Sequence, residues 1–249
     1  MSKKLIIVGS GNAALCAGIS ALEKGADVKI LEKANEYLAG GNTKYTAGAM
    51  RFVYNNGGEL KPLLKDPNDP KLEKTNFGKY SKEKFSEDLL SFNDGKPLTI
   101  EQKTLINESY ETMKWLASHD VKFEPIYQRQ SFEKDGKFIF WGGLTLASKN
   151  EGVGLFDQEL EAFKKLGGEI EYETPVTELI KEEGKIIGVE TENNNYIADA
   201  VVLASGGFEA NKEMRSKYLG DHWGVAKVRG TPNNTGCLLY TSPSPRDVP

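Results

Sequence analysis

The sequence is poor in the residues that build disulfide frameworks and metal sites. Its 249 residues include 2 cysteines and 2 histidines. Cys16 falls in an apolar helical pattern and Cys237 lies near the end of the chain, so the pair makes no disulfide framework. Neither His119 nor His222 has a metal-ligand partner at a suitable spacing. We therefore predict no metal site.

Long apolar runs and an excess of charge of one sign are lacking too. No apolar stretch approaches the roughly 20 residues that cross a membrane, and the apolar run after Lys4 is shorter than a secretory signal requires. The formal net charge is −4, with acidic and basic residues interspersed, so no basic surface for nucleic acid is indicated. We expect a cytoplasmic protein that has neither membrane nor nucleic-acid partners.

What the chain does contain, at its N-terminus, is the pattern of a nucleotide-binding βαβ unit. The β-branched run Lys4–Val8 is followed by GSGNAA and then by apolar residues at helical spacing. A second apolar run, Asp27–Leu31, ends at Glu32. The turn thus has the form GxGxxA between two predicted strands, with an acidic residue roughly twenty positions later, as in dinucleotide-binding proteins.

Each position of this pattern has a physical role. Gly9 allows a tight turn, Gly11 lets the main chain approach a diphosphate, and the small Ala14 lets the helix pack on the strand. The N–H groups and the dipole at the helix start favour phosphate. Glu32 can accept hydrogen bonds from ribose hydroxyls and would repel a 2′-phosphate, so NAD or FAD is indicated.

A later glycine-rich stretch distinguishes the two cofactors. Residues 38–50 have the sequence LAGGNTKYTAGAM, where a plain NAD domain would enter another helix. Glycines and small polar residues suit a main chain packed against a flat ring system. Another buried strand running into glycines follows at residues 200–208. Both features favour FAD, and an NAD-dependent dehydrogenase is the second alternative.

Together these segments resemble a family of flavoproteins. GSGNAALCA, LEKA, GGNTKYTAGAM and VVLASGGFEAN are similar to the FAD-binding domain of the fumarate reductase/succinate dehydrogenase flavoprotein family. KYTAGAMRF, SGGFEANKEM and RGTPNNTG are most similar to FAD-dependent tricarballylate dehydrogenases within it. The resemblance runs from Lys4 to Gly236. It implies an α/β fold: a Rossmann-like FAD-binding domain with a parallel sheet, a β-meander and inserted helices.

The resemblance also implies which residues surround the cofactor. They are Gly9, Gly11, Asn12, Ala13, Ala14, Glu32, Lys33, Gly40, Gly41, Asn42, Thr43, Ala47, Gly48, Ala49, Val176, Ala204, Ser205 and Gly206. Residues 9–14 are expected at the pyrophosphate, Glu32 at the adenosine ribose and Val176 at the adenine. Asn42 stands where respiratory relatives carry a histidine that is linked covalently to the flavin. Because asparagine cannot form that bond, we expect non-covalent FAD.

The implied chemistry is hydride exchange between the flavin and a carbon next to a carboxylate. The expected partners are a small di- or tricarboxylate substrate and an electron acceptor or donor. In the family, the substrate-binding and proton-transfer groups come from a capping domain and a final segment. Arg51 and Arg129 match none of these groups, and Arg229 is expected in a loop near the edge of the flavin domain, so no catalytic residue is predicted. A fumarate reductase-like enzyme and an inactive dinucleotide-binding module are the alternatives.

The middle of the chain carries local signals of its own. Residues 55–79 are charged and aperiodic, which predicts a solvated surface loop. Thr99 and Gln102 form a capping-box pattern before a helix whose buried stripe includes Ile106 and Met113.

Four β-rich runs then follow one another with turn residues between them. They are residues 169–172, 175–181, 185–191 and 196–199. Gly184 and the run of asparagines at 193–195 supply turns, so a β-meander is predicted.

The last residues do not match the rest. Relatives continue Asn-Thr-Gly-Asp-Gly, whereas here the match ends after Gly236. The following CLLYTSPSPRD resembles the translation of a sequencing-library adapter, so residues 237–249 are predicted to be non-native. Residues 1–236 are then the N-terminal part of an FAD-binding domain whose capping domain is missing. We expect this chain by itself to lack dehydrogenase activity and to hold FAD poorly.

Overall fold

The computed structural model describes residues 2–237, which contain both helices and strands. The α-helices are α1 (Asn12–Glu23), α2 (Gly57–Leu60), α3 (Lys82–Leu90), α4 (Ile100–Ser118), α5 (Tyr127–Gln130), α6 (Glu151–Lys165) and α7 (Lys212–Leu219). The β-strands are β1 (Lys4–Val8), β2 (Asp27–Leu31), β3 (Ala49–Met50), β4 (Thr75–Asn76), β5 (Phe123–Pro125), β6 (Ser131–Lys134), β7 (Lys137–Phe140), β8 (Leu146–Ser148), β9 (Glu169–Glu171), β10 (Val176–Glu182), β11 (Lys185–Thr191), β12 (Asn195–Ile197) and β13 (Ala200–Leu203).

The chain divides into two compact units. The first unit comprises the described residues up to Tyr45 and from Glu159 onward, and the second comprises Thr46–Gln158. Residues 238–249, which belong to the stretch predicted to be non-native, lie outside the described residues.

The first unit is built on a parallel sheet with the strand order β13-β1-β2-β9. Ile6, Ile7 and Val8 are at most 6% exposed, as expected for a parallel strand that is covered on both faces. In the register of the sheet, Val8 lies opposite both Leu31 and Leu203. The α/β fold with a parallel sheet is therefore confirmed, and the first two strands have the predicted bounds.

Helix α1 connects β1 to β2 and packs through Leu15 and Ile19, which are both fully buried. Gly18 lies beside the ring of Phe163 in α6, where a Cβ would come within 2.6 Å of Phe163 Cε2. Glycine at this position thus lets the ring approach the helix closely. The predicted helix stop is confirmed, since Gly25 follows the helix with a φ of +79°.

Strands β10, β11 and β12 form the predicted antiparallel meander. Val176 and Val189 pack in one buried cluster with side chains of β1 and β2, so the meander covers one face of the parallel sheet. The prediction that Glu169–Glu171 belongs to the meander is wrong. This strand pairs in parallel with β2, because a strand that follows a crossover helix returns to the sheet in the same direction.

The second unit contains two small sheets, with the orders β3-β8-β5 and β4-β7-β6. The capping box of α4 is confirmed: the Thr99 hydroxyl accepts a bond from the Gln102 N–H, and the Gln102 side chain accepts one from the Thr99 N–H. Ile106 and Met113 are buried as predicted, at 4% and 2% exposure. Local helix signals therefore hold in this part of the chain.

The solvated loop predicted for residues 55–79 is wrong in part. Three single-turn helices form there, at Gly57–Leu60, Lys61–Leu63 and Pro70–Lys74. Leu60 and Leu63 are at most 1% exposed and belong to the core of the second unit. Single turns interrupted by prolines do not generate a visible hydrophobic period, so the buried leucines carried no sequence signal.

One acidic side chain is buried in the first unit without full hydrogen bonding. Glu159 of α6 has no exposed surface, and its Oε2 atom has no partner among the described residues. The Cys16 thiol faces Oε1 at 3.8 Å. Burial raises the pKa of Glu159 to about 8, although the bond from Cys16 acts in the opposite direction. The folded protein therefore holds this carboxyl protonated at neutral pH.

We expect the free energy of unfolding to decrease as the pH rises from about 4.5 to about 8. In that window the folded state keeps the Glu159 proton, whereas the unfolded state has released it, so rising pH favours unfolding. Glu159→Gln should remove this pH-dependent decrease in unfolding free energy, which is on the order of 5 kcal/mol. Urea unfolding at several pH values measures the difference between variant and wild type.

Glu161→Gln is the matched control, because Glu161 is an exposed residue of the same helix. It should keep the wild-type pH slope. An unchanged slope in Glu159→Gln would contradict the protonated state of the buried carboxyl.

Candidate cofactor site

The carboxyl ends of β13, β1 and β2 bring three chain segments together at one edge of the sheet. Gly9, Glu32 and Ala204 are the first residues after these strands. The Gly9 N–H donates to the Leu31 carbonyl at 2.9 Å, and the Ala204 N–H donates to the Val8 carbonyl at 2.9 Å. The ladder therefore continues into the turns. Ligands of open α/β sheets bind at such an edge.

The turn after β1 needs glycine at its first position. Gly9 has a φ of +97°, and a Cβ there would lie 2.5 Å from the Ala204 carbonyl oxygen. Gly11 has an ordinary φ of −73°, and a Cβ there would meet Thr43 Oγ1 at 3.3 Å and the Gly40 carbonyl oxygen at 3.6 Å. Gly9 is thus required by the fold itself, whereas Gly11 keeps the main chain accessible at the helix start.

The positive end of helix α1 lies at the same edge. The first N–H groups of a helix have no partner inside it, and its dipole favours a negative group there. The Asn12 N–H donates to Thr43 Oγ1 at 2.9 Å. This bond attaches the glycine-rich stretch 38–50 to the helix start.

Glu32 is held in a fixed orientation by two donors. It is 7% exposed, and its carboxylate accepts bonds from the Ser10 hydroxyl at 2.6 Å and from the Ala34 N–H at 2.7 Å. The Ser10 oxygen in turn accepts a bond from the Gly40 N–H at 3.0 Å. A chain of buried hydrogen bonds therefore joins the first turn, the end of β2 and the glycine-rich stretch.

These segments enclose a cleft of about 430 Å³ in the first unit. The predicted site residues that line it are Gly9, Gly11, Asn12, Ala13, Glu32, Lys33, Gly41, Asn42, Thr43, Val176, Ala204, Ser205 and Gly206. Two other predicted residues lie behind this surface. Ala14 is fully buried, and Gly40 is buried beside Ser10.

The remaining three predicted residues, Ala47, Gly48 and Ala49, belong to the second unit. Gly48 has a φ of +62°, and its carbonyl accepts a bond from the Ser148 N–H at 2.9 Å. Ala49 pairs with Ala147 in the β3–β8 ladder. Ala47 and Ala49 line a pocket of about 490 Å³ in that unit.

Sequence reasoning missed several residues of the cleft. They are Val8, Ser10, Leu31, Leu38, Thr174, Leu203, Asn233, Asn234 and Cys237. Val8, Leu31 and Leu203 could have been found, because each is the last residue of a strand that ends at the cleft. Ser10 lies at an unspecified position of the GxGxxA pattern and carried no signal by itself.

Two of the arginines weighed for a substrate role have partners in the second unit. Arg51 Nη1 donates to the Tyr80 hydroxyl at 3.0 Å and lies 3.4 Å from Asp88. Arg129 pairs with Glu151 at 2.9 Å. The guanidinium groups of Arg51 and Arg129 are therefore both paired within the second unit.

The parallel sheet, the glycine turn, the helix start and the oriented acid together define a dinucleotide-binding α/β domain. The model of a family described as FAD binding domain matches residues 4–238. The chain belongs to this family, and its cofactor is FAD.

The chain is similar to several known oxidoreductases. A urocanate reductase of Eggerthella lenta is 30% identical over 232 residues, and an NADH:acrylate oxidoreductase of Vibrio harveyi is 26% identical over 262 residues. Each alignment covers 86% of this chain, but 33% of the first relative and 25% of the second. The open form of a flavocytochrome c3 fumarate reductase has a TM-score of 0.71 at 21% identity, covering 98% of this chain and 41% of that one. The chain thus spans a third or less of the two aligned relatives.

Within residues 2–237, no helix combines the length and the apolar character needed to cross a membrane. The same part of the chain holds no group of three or more histidine, cysteine or acidic side chains placed to hold a metal ion.

We expect Gly9→Ala to lower the free energy of unfolding of the cofactor-free protein by about 1–3 kcal/mol, because alanine is strained at this φ and its Cβ meets the Ala204 carbonyl. Gly11→Ala is the control and should stay within about 1 kcal/mol of wild type. Denaturant unfolding measures both values. An equal loss of unfolding free energy in the two variants would contradict the view that Gly9, unlike Gly11, is required by the fold.

Proposed function

We propose that this cleft holds FAD with its diphosphate at the start of α1 and its adenosine ribose at Glu32. The adenine then lies near Val176, and Gly41, Asn42 and Gly206 lie at the flavin end. The observation that carries the proposal is the convergence of helix start, fixed carboxylate and glycine turns in one cleft.

The residues present fit this cofactor. The Glu32 carboxylate is already oriented by Ser10 and Ala34, so its remaining lone pairs can accept ribose hydroxyl protons without further ordering. A buried carboxylate repels a 2′-phosphate, which supports a dinucleotide without that group. Gly11 provides room for the diphosphate beside the main chain.

We further propose that FAD is bound without a covalent bond. Asn42 stands where respiratory relatives carry the histidine that is linked to the flavin. Its side chain is an amide, which is not a nucleophile. Its Oδ1 accepts a bond from the Thr231 N–H at 2.9 Å, and its Nδ2 donates to Glu209 at 2.5 Å. Both ends of the amide are therefore engaged with the protein.

The protein that carries this chain is proposed to be an oxidoreductase acting on a C–C bond next to a carboxylate. When bound, FAD supplies the hydride-transfer chemistry, and this chain supplies binding and orientation. Resemblance of KYTAGAMRF and SGGFEANKEM to tricarballylate dehydrogenases supports a tricarboxylate as substrate. No described residue is assigned to proton transfer.

A fumarate reductase-like activity is the second candidate. The named relatives reduce or oxidise urocanate and acrylate, which both contain a C=C bond conjugated to a carboxylate. This shared chemistry favours reduction of an unsaturated carboxylate over oxidation of a saturated one.

We expect Gly11→Ala to weaken FAD binding about tenfold or more, which corresponds to 1.4 kcal/mol, because the added methyl group takes space beside the diphosphate. The apoprotein is titrated with FAD and followed by flavin fluorescence. Its unfolding free energy, measured as above, serves as the control for folding. Wild-type affinity in Gly11→Ala would place the diphosphate elsewhere.

Turnover decides between the two substrate classes. A protein that carries this chain at the length of the named relatives is loaded with FAD, reduced with dithionite and mixed without oxygen with fumarate, acrylate or urocanate. Return of the oxidised flavin spectrum is the expected result for a reductase. Bleaching of the oxidised flavin by tricarballylate is the expected result for a dehydrogenase. If bound FAD responds to none of the four acids, the module is non-catalytic and the oxidoreductase proposal is wrong.

A further inference from the structure

Glu209 connects two side chains of the cleft wall. Its Oε1 atom accepts a bond from Asn42 Nδ2 at 2.5 Å and a second bond from Asn234 Nδ2 at 3.0 Å. Asn42 and Asn234 both line the cleft, whereas Glu209 lies one hydrogen bond behind them. A single carboxylate oxygen thus sets the direction of two amide groups.

The asparagines are fixed on their other sides as well. Asn42 Oδ1 accepts a bond from the N–H of Thr231, a residue that is 2% exposed. The main-chain carbonyl of Asn234 accepts a bond from the Ala210 N–H at 2.9 Å. These bonds fix which atom of the Asn42 amide faces Glu209, because an exchange of oxygen and nitrogen would break both of its bonds.

The position of Glu209 is itself built by buried groups. Arg215, which is 8% exposed, donates to the main-chain carbonyl of Glu209. It also donates to the carbonyls of Trp223 and Ala226, and both of these bonds are 3.0 Å long. A Cβ on Gly207 would come within 2.5 Å of Glu209 Oε2. The arginine therefore holds the main chain of Glu209, and the glycine leaves room for its carboxylate.

A second glycine serves the Asn234 side. Gly206 has a φ of +74°, and a Cβ there would lie 2.7 Å from Asn234 Nδ2. The pair Gly206–Gly207 after β13 thus makes space for the Glu209–Asn234 contact. This gives the glycines a role in addition to the approach of the main chain to a cofactor.

From this geometry we propose that Glu209 is a positioning residue for the flavin end of FAD and that it sets the reduction potential of the flavin. The inference rests on the cofactor placement proposed above. Glu209 directs the amides of Asn42 and Asn234, and its carboxylate stands behind the cleft wall. Because reduction increases the electron density of the flavin, a negative group behind the wall at its end of the cleft favours the oxidised form and lowers the potential.

Two substitutions separate the two effects. Glu209→Gln keeps an acceptor oxygen for both asparagines but removes the charge, so FAD affinity should stay near that of wild type while the midpoint potential of the bound flavin becomes more positive. Glu209→Ala removes the acceptor, so FAD affinity should fall about tenfold or more. Glu213→Gln, at an exposed residue in the first turn of α7, is the matched control for loss of one charge.

The measurements are FAD titration and anaerobic redox titration of a protein that carries this chain at the length of the named relatives. If Glu209→Gln and Glu213→Gln both keep the wild-type potential, the proposed role is overturned. If Glu209→Ala does not fold, the potential of Glu209→Gln alone decides. If this wild-type protein binds no FAD, the cofactor placement fails first and the role of Glu209 with it. FAD bound to wild type with unchanged values in every variant rejects the role of Glu209 alone.

Discussion

The close approach of the turn after β1 to the end of β13 is the contact on which the cofactor site depends. It exists because residue 9 has no side chain, and its main chain lies where any Cβ would meet the Ala204 carbonyl. The parallel register then places Gly9, Glu32 and Ala204 at one edge. Helix α1 starts at Asn12, three residues beyond Gly9, so this contact positions the positive end of the helix dipole. The position of the cleft is thus set by main-chain packing and strand register.

Two buried acids in the first unit show how hydrogen bonding decides what a carboxylate can do. Glu32 receives bonds from Ser10 and Ala34, so it can remain a fixed acceptor at the cleft surface. Glu159 is buried with one oxygen unpartnered among the described residues, and burial raises its pKa. Similar burial therefore leaves one carboxyl group with both oxygens hydrogen-bonded at the cleft surface and the other protonated in the core.

Features with a local cause could be predicted from sequence, and features with a tertiary cause could not. The bounds of β1 and β2, the cap of α4 and the fingerprint glycines each depend on a few neighbouring residues. The role of Ser10 depends on Gly40, and that of Asn234 on Glu209, contacts that no short motif encodes. The pairing of β9 depends on the crossover through α6. The short helices within residues 57–74 showed no hydrophobic periodicity in the sequence, because each of them is too short to repeat the pattern.

The cleft joins segments that lie far apart along the chain, which links cofactor binding to folding. β1 and β13 meet where Lys4 and Asp199 are bonded across 195 positions, and closing so long a loop is entropically costly and slow. The complete cleft forms only after the ends of the first unit have met. FAD should then bind the finished unit and not its precursors, so the cofactor would stabilise the native state by mass action. Bound flavin would in this sense report the fraction of chains that have closed this long loop.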